Sequence, residues 1–206
     1  MNFLFFIKKT IHRKILEEKL AEIAPKLTGK ILDIGSKDAR YANLLKGEVI
    51  SVDVIPNPAK KVLKGDIYSL DFPKETFDGV LSTEVFQYLE DPKKAISEIY
   101  RVLEKEGVLL LSCPLIYRVH GDLVRYTEDF LRKLLANFSK VEFFYLGNFY
   151  TIILDTIREK IVKLPIAIFR YFFYIPFFIL TLLIPLSLKF SKDRNFVSGY
   201  LIRVSK

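Results

Sequence analysis

A series of short apolar runs, several ending on an acidic residue or a glycine, constrains this chain more than any other feature. Residues 30–34 (KILDI) form the first run, too short for a helix, and lead into Gly35. Such a run reads as a buried parallel strand. Further strands are expected at 48–54 (EVISVDV), 61–64, 77–83 (FDGVLST) and 107–113 (GVLLLSC), with two more near 141–146 and 199–205. Helical or loop material lies between them. Strands alternating with helices predict βαβ units and an α/β sandwich, a parallel sheet covered on both faces.

The helices are marked by a different period. From Phe3 to about Ala24, Leu4, Ile7, Ile11, Ile15, Leu20 and Ile23 recur every three to five positions, a stripe that stops before Pro25 and Gly29. His12, on the polar part of that helix, is expected to be exposed. The clearest helix is 92–105, with Asp91 placed to cap it, Pro92 in its first turn, and Ala95, Ile96, Ile99, Val102 and Leu103 on its apolar face. Another begins after Thr127, where Glu128 and Asp129 suit the positive end of the helix dipole.

At 206 residues the chain holds one full domain and is too short for two ordinary ones. The single Cys113 excludes an internal disulfide framework and suits a reducing cytoplasm. A net charge of +8 could serve a nucleic acid, an anionic membrane surface or an acidic substrate. Basic residues are not interleaved with aromatics in the manner of a nucleic-acid platform, so no nucleic-acid partner is expected. The N-terminus starts apolar and turns basic, the reverse of a secretory signal.

In an open parallel sheet, ligands bind beyond the carboxyl ends of the strands, where strand order reverses. Those ends carry Asp33, Gly35, Asp53, Asp66, Thr83 and Glu84. A carboxylate closing the second strand, about 20 residues after the first glycine, can accept both hydroxyls of a ribose, a role that fits Asp53. A plain surface acid at a strand end is the alternative.

Three stretches then resemble a known family: ILDIGSKDARYANLL at 31–45, SVDV at 51–54, and GDIYSLDFPKETFDGVLSTEVFQYLEDPKKAISEIYRVLEKEGVLLLSCP at 65–114. They look like successive motifs of class I S-adenosylmethionine-dependent methyltransferases of the type 11 kind. The resemblance implies a Rossmann-like αβα sandwich, a seven-stranded, mostly parallel sheet whose last strand is antiparallel. It implies S-adenosylmethionine as cofactor and no metal. Asp33 and Gly35 would border the methionine part, Asp53 and its neighbour Val54 the ribose, Asp66 the adenine amino group and Ile67 its face. Thr83 and Glu84 would flank the sulfonium. Methyl transfer is an in-line displacement, so positioning alone supplies much of the catalysis.

Two departures stand out. The family's G-x-G-x-G loop reads Gly35-Ser36-Lys37-Asp38-Ala39, placing a long cation where glycine is usual. Tyr88 replaces a histidine common in relatives; a phenol is a poor base at neutral pH, so Tyr88 is expected as a wall of the substrate pocket. The segment 120–127 (HGDLVRYT) resembles a family stretch that overhangs the active-site mouth, which makes His120 the candidate acid/base group. Asp122, Arg125 and Thr127 fit an ion pair and a helix cap.

Residues 171–188 (YFFYIPFFILTLLIPLSL) carry no charge and are flanked on both sides by Lys and Arg. Their length approaches a membrane span, but Pro176 and Pro185 are expected to break a straight helix. A span would also strand 199–205 across the membrane from its sheet. Contact with a membrane surface through residues 164–190 is therefore expected, with a lid or a homodimer interface as the alternative. The apolar start, Phe3 to Phe6, could dock beside it. The chain then divides into an N-terminal helix (1–28), a cofactor-binding core (29–150), an apolar helical insert (151–195) and a final strand (196–206), one methyltransferase-like domain in all. The expected function is methyl transfer to a small or lipid-linked acceptor, in the cytoplasm and peripheral to the inner face of the membrane. A catalytically silent module that binds membrane or protein is the alternative.

Overall fold

A computed structural model describes residues 9–117, 121–165, 167–191 and 194–206. Seven strands form one sheet in the order β3-β2-β1-β4-β5-β7-β6. They are β1 (Thr28–Ile34), β2 (Lys46–Asp53), β3 (Val62–Lys64), β4 (Phe77–Thr83), β5 (Leu103–Pro114), β6 (Lys140–Leu146) and β7 (Gly199–Ser205). Six run parallel and the last is antiparallel, so the fold class expected from the sequence is present. The described helices are α1 (Ile11–Ile23), α2 (Pro92–Val102), α3 (Glu128–Leu134), α4 (Phe149–Val162), α5 (Ala167–Thr181) and α6 (Ile184–Phe190).

The chain resolves into two compact units. The larger, 19–114, 120–144 and 200–206, contains most of the sheet. Its core is the run of aliphatic residues that made the central strands legible: Ile31, Leu32, Val80, Leu81, Leu109, Leu110 and Leu111 are fully buried. β1 lies in register with β2 on one side (Asp33 beside Ser51) and β4 on the other (Asp33 beside Leu81). Strand order reverses between β1 and β4, and that is where a ligand crevice is expected. Between β1 and β2 the chain makes only one tight turn of helix, Ala42–Leu44, and between β2 and β3 another, Pro58–Lys60. Cover from crossover helices is therefore thin along that edge.

Local chemistry sets the element ends. Asp91 accepts the Lys94 N–H at 3.0 Å and Pro92 opens α2, as the sequence implied. The helix stops at Val102, earlier than the expected 105, because Leu103 leaves it to pair beside Phe77 and begin β5. Thr127 caps α3 through the Phe130 N–H, and Arg125 pairs with Asp122, both as expected.

The smaller unit, 1–18, 115–119 and 145–199, carries the first part of α1 and all of α4, α5 and α6. Ile11, Leu154, Ile161, Tyr174, Phe177 and Ile184 form its core. His12 corrects the sequence reading: it is 1% exposed, not on the surface. Its Nδ1 lies 2.8 Å from Ser198 Oγ, which itself donates to the Leu146 carbonyl, and its ring packs against Tyr117. The Ile11 and His12 N–H groups, first in α1, both donate to the Asp155 carboxylate at 2.8 Å, so an acid from α4 caps α1. Of the two expected breaks, the one at Pro176 is corrected and the one at Pro185 is present just before it. Pro176 sits inside α5, and the break falls at Leu182 and Leu183. Pro185 occupies the first turn of α6, where a missing N–H costs nothing. The expected docking of Phe3 to Phe6 lies outside the described residues.

Candidate active site

Asp33 closes β1 at the point of strand reversal and is 1% exposed. Its Oδ2 is buried and makes no hydrogen bond to any described residue. Burial, reinforced by the nearby Asp53 and Asp38 carboxylates, pushes its carboxyl up to about 7. A buried acceptor left without a donor costs about 1–3 kcal/mol, so folds rarely keep one without a use. Two further buried polar atoms without partners among the described residues, Ser82 Oγ and Gln87 Oε1, belong to the end of β4 and the turn that follows it.

The loop after β1 is shaped by backbone geometry. Gly35 has φ +69°, and a Cβ there would stand 2.3 Å from Val85 Cγ2, so glycine is required on both counts. Lys37 and Ala39 have φ of 55° and 52°, so they hold left-handed conformations that glycine adopts at no steric cost. The substituted loop thus keeps a glycine-like path, and the Lys37 side chain is exposed. The Lys37 N–H donates to Asp53 Oδ2 at 2.9 Å, and the Ile55 N–H donates to Oδ1 at 3.0 Å. Asp53 is therefore locked at the end of β2 beside the Gly35 loop. Val54 and Ile55, exposed at 64% and 75%, follow it and offer an apolar rim.

Asp66 accepts the Tyr68 N–H at 2.9 Å in a tight turn, and Ile67 is buried beside it in sequence. Beyond β4, Glu84 holds a left-handed φ of 57°. Its carboxylate accepts the Ser112 hydroxyl at 2.9 Å, and Ser112 is the register partner of Thr83. Sequence reasoning missed Ser112, although a serine interrupting an apolar run at a strand's carboxyl end was a usable signal. Tyr88, 42% exposed, ends the turn Phe86–Tyr88, a position suited to a pocket wall. Tyr126 is no base: it donates to the Phe86 carbonyl at 3.0 Å, and burial first, then Cys113 and Tyr68, push its phenol up to about 12. His120 lies outside the described residues.

The sequence profile of a family described as a methyltransferase domain, type 11, matches residues 32–111. No curated protein matches the chain. Solved structures do, at low identity. A SAM-dependent methyltransferase of Archaeoglobus fulgidus is 16% identical with a TM-score of 0.61, covering 99% of both chains. One from Thermotoga maritima, described as a possible histamine N-methyltransferase, is 19% identical with a TM-score of 0.60, covering 95% of this chain and 91% of that one. Phosphoethanolamine N-methyltransferase 2 of Haemonchus contortus, in complex with S-adenosyl-L-methionine, is 15% identical with a TM-score of 0.53, covering 100% of this chain and 59% of that one. Residues 32–111 thus match a methyltransferase-domain family, and the chain has the Rossmann-like fold of these solved methyltransferases.

Proposed function

We propose that this chain is an S-adenosylmethionine-dependent methyltransferase acting on a small or lipid-linked acceptor met at a membrane surface, on its cytoplasmic face. One observation carries the cofactor assignment: the buried, partnerless Asp33 oxygen beside the left-handed Gly35 loop at the strand switch point. An orphan carboxylate suits a cationic ligand, and Gly35 turns the backbone through a left-handed φ just after it.

The residues fit the group. Asp33 and Gly35 would take the methionine part, Asp53 and Val54 the ribose, Asp66 and Ile67 the adenine, with Thr83 and Glu84 beside the sulfonium. When bound, S-adenosylmethionine supplies a methyl group activated by positive sulfur. The chain supplies position: Asp53 is held by two backbone N–H groups and meets hydroxyls without first being ordered. Tyr88 walls the acceptor side, and His120 is the candidate to take a proton from the acceptor. A cationic ligand favours ionised Asp33, so affinity should rise as pH passes upward through about 7. Calorimetric titration with S-adenosylmethionine tests the reading: saturable heat that is lost in Asp53→Ala supports it, and no heat at millimolar ligand refutes it.

The membrane part of the reading is supported by the run Phe172–Phe190, 19 residues containing a stretch of mean hydropathy 1.9 that is only 17% buried. An acceptor with an apolar tail would be met at such a surface.

A further inference from the structure

The two units differ in charge as sharply as in fold. Over 1–18, 115–119 and 145–199 there are 12 Lys and Arg against 5 Asp and Glu, a net +7. The rest of the chain, with 20 against 19, carries +1 of the total +8. The same helical unit holds 14 of the 21 large apolar side chains found exposed among the described residues. Positive charge and exposed apolar surface therefore coincide on one unit.

The geometry of that surface is specific. α5 turns Tyr174, Phe177 and Thr181 inward, and α6 turns Ile184 inward. Phe172, Ile175, Ile179, Leu183, Leu186 and Phe190 face outward, between 49% and 72% exposed. An outward face of this kind is polar in a soluble helix. A shallow groove of about 330 Å³, lined by Tyr150, Leu183, Leu186, Ser187 and Phe190, opens on the same side chains. The two-residue break at Leu182 and Leu183, and the packing of Tyr174, Phe177 and Ile184 with Ile11, Leu154 and Ile161, prevent a straight rod from crossing a bilayer. Lys160, Lys189 and Arg194 are exposed around the apolar run, and Lys163 is 70% exposed.

We infer that the helical unit is a docking surface for an anionic bilayer, with α5 and α6 lying in the plane of the headgroup–acyl boundary. The apolar outer face enters the acyl region, while the lysines and arginines at its borders meet anionic headgroups. This rests on the membrane reading above and adds the lipid class, the orientation and the residues. It does not depend on methyl transfer.

The test is flotation of the full chain with neutral phosphatidylcholine vesicles and with vesicles containing about 30% phosphatidylglycerol. Binding to anionic vesicles should exceed binding to neutral ones by at least about tenfold and weaken between about 0.1 M and about 0.5 M salt. A double variant, Ile175→Glu with Ile179→Glu, should lose binding to both vesicle types by at least about tenfold. Lys160→Glu with Lys189→Glu should lose only the preference for anionic lipid. Both variants should keep the calorimetric response of the parent to S-adenosylmethionine, whatever that is, and the parent's melting profile. Equal flotation on neutral and anionic vesicles would overturn the lipid class while leaving the membrane reading standing. No flotation, with light scattering showing a dimer that Ile175→Glu and Ile179→Glu dissociate, would assign the face to a second copy. No flotation by a monomer would overturn the inference and the membrane reading together, and leave the cofactor assignment untouched.

Discussion

Helices α2 and α5 each bury one side and leave the other open, yet they are built for different surroundings. α2 turns Ala95, Ile96, Ile99 and Val102 inward and Lys93, Lys94 and Ser97 outward, an ordinary amphipathic helix in water. α5 turns Tyr174 and Phe177 inward and Phe172, Phe173, Ile175 and Ile179 outward. Each such side chain, 45–72% exposed, would gain about 1–2 kcal/mol on leaving water, so the four together outweigh a single surface ion pair several times over. The inward face of a helix shows only that it packs. The outward face shows what surrounds it.

Two carboxylates, Asp155 partly buried and Asp33 fully, extend the contrast from apolar to polar groups. Asp155, in the helical unit, accepts two backbone N–H groups and pairs with Arg158, whose side chain is 7% exposed. Asp33, in the sheet unit, keeps an oxygen without a partner. The first is satisfied by its own fold, and the second is suited to a ligand. The largest expected effect follows from removing the satisfied one. Asp155→Ala removes the carboxylate that Arg158 pairs with and that the first two N–H groups of α1 donate to, and should cost about 3–5 kcal/mol by denaturant melting. A cost below about 1 kcal/mol would show that the network carries little of the stability.

Asp33→Asn should act in the opposite direction and depend on pH. The carboxyl rises from 3.8 in the unfolded chain to about 7 in the fold. Its contribution to stability is full below the lower value and is lost as pH climbs through the upper one. About three pKa units correspond to a ceiling of about 4 kcal/mol. The variant should match the parent near pH 4, exceed it in melting temperature by pH 8, and bind S-adenosylmethionine more weakly. A constant offset across pH would remove Asp33 as an ionising group.

The helices can be compared by one substitution made twice. Ile99→Ala, in the buried face of α2, should cost about 2–5 kcal/mol. Ile175→Ala, 64% exposed on α5, should stay within about 0.5 kcal/mol. Equal costs would mean that the α5 face is already covered in solution. The smallest effect is expected at Lys37→Gly. Glycine relieves about 1 kcal/mol of left-handed strain and returns a similar amount in chain entropy, leaving melting nearly unchanged. Calorimetry on this variant shows whether the lysine side chain hinders or helps cofactor binding.

Legibility in the sequence followed the range of the interactions. β4 and β7 match the expected 77–83 and 199–205 residue for residue, because a short apolar run carries its own strand signal. The α2 cap was readable because Asp91, Pro92 and the Lys94 N–H lie within one turn. The end of α2 was not, since Leu103 is claimed by pairing with β4. His12 was misread for the same reason: its burial depends on Ser198 and Tyr117, more than 100 positions away. In the site, Asp33, Asp53 and Asp66 were visible as acids at strand ends. The role of Lys37 was not, because what matters is its backbone φ and its N–H to Asp53, which no side-chain pattern reveals.

The central claim is that the acids at the ends of β1 and β2 form a cofactor site. Isothermal calorimetry with S-adenosylmethionine tests it most directly, on the parent and on Asp53→Ala. One saturable site is expected in the parent and at least about a hundredfold loss of affinity in the variant, the removal of two charge-assisted hydrogen bonds. Parent and variant giving the same heat, or neither giving any while both melt cooperatively, would contradict it.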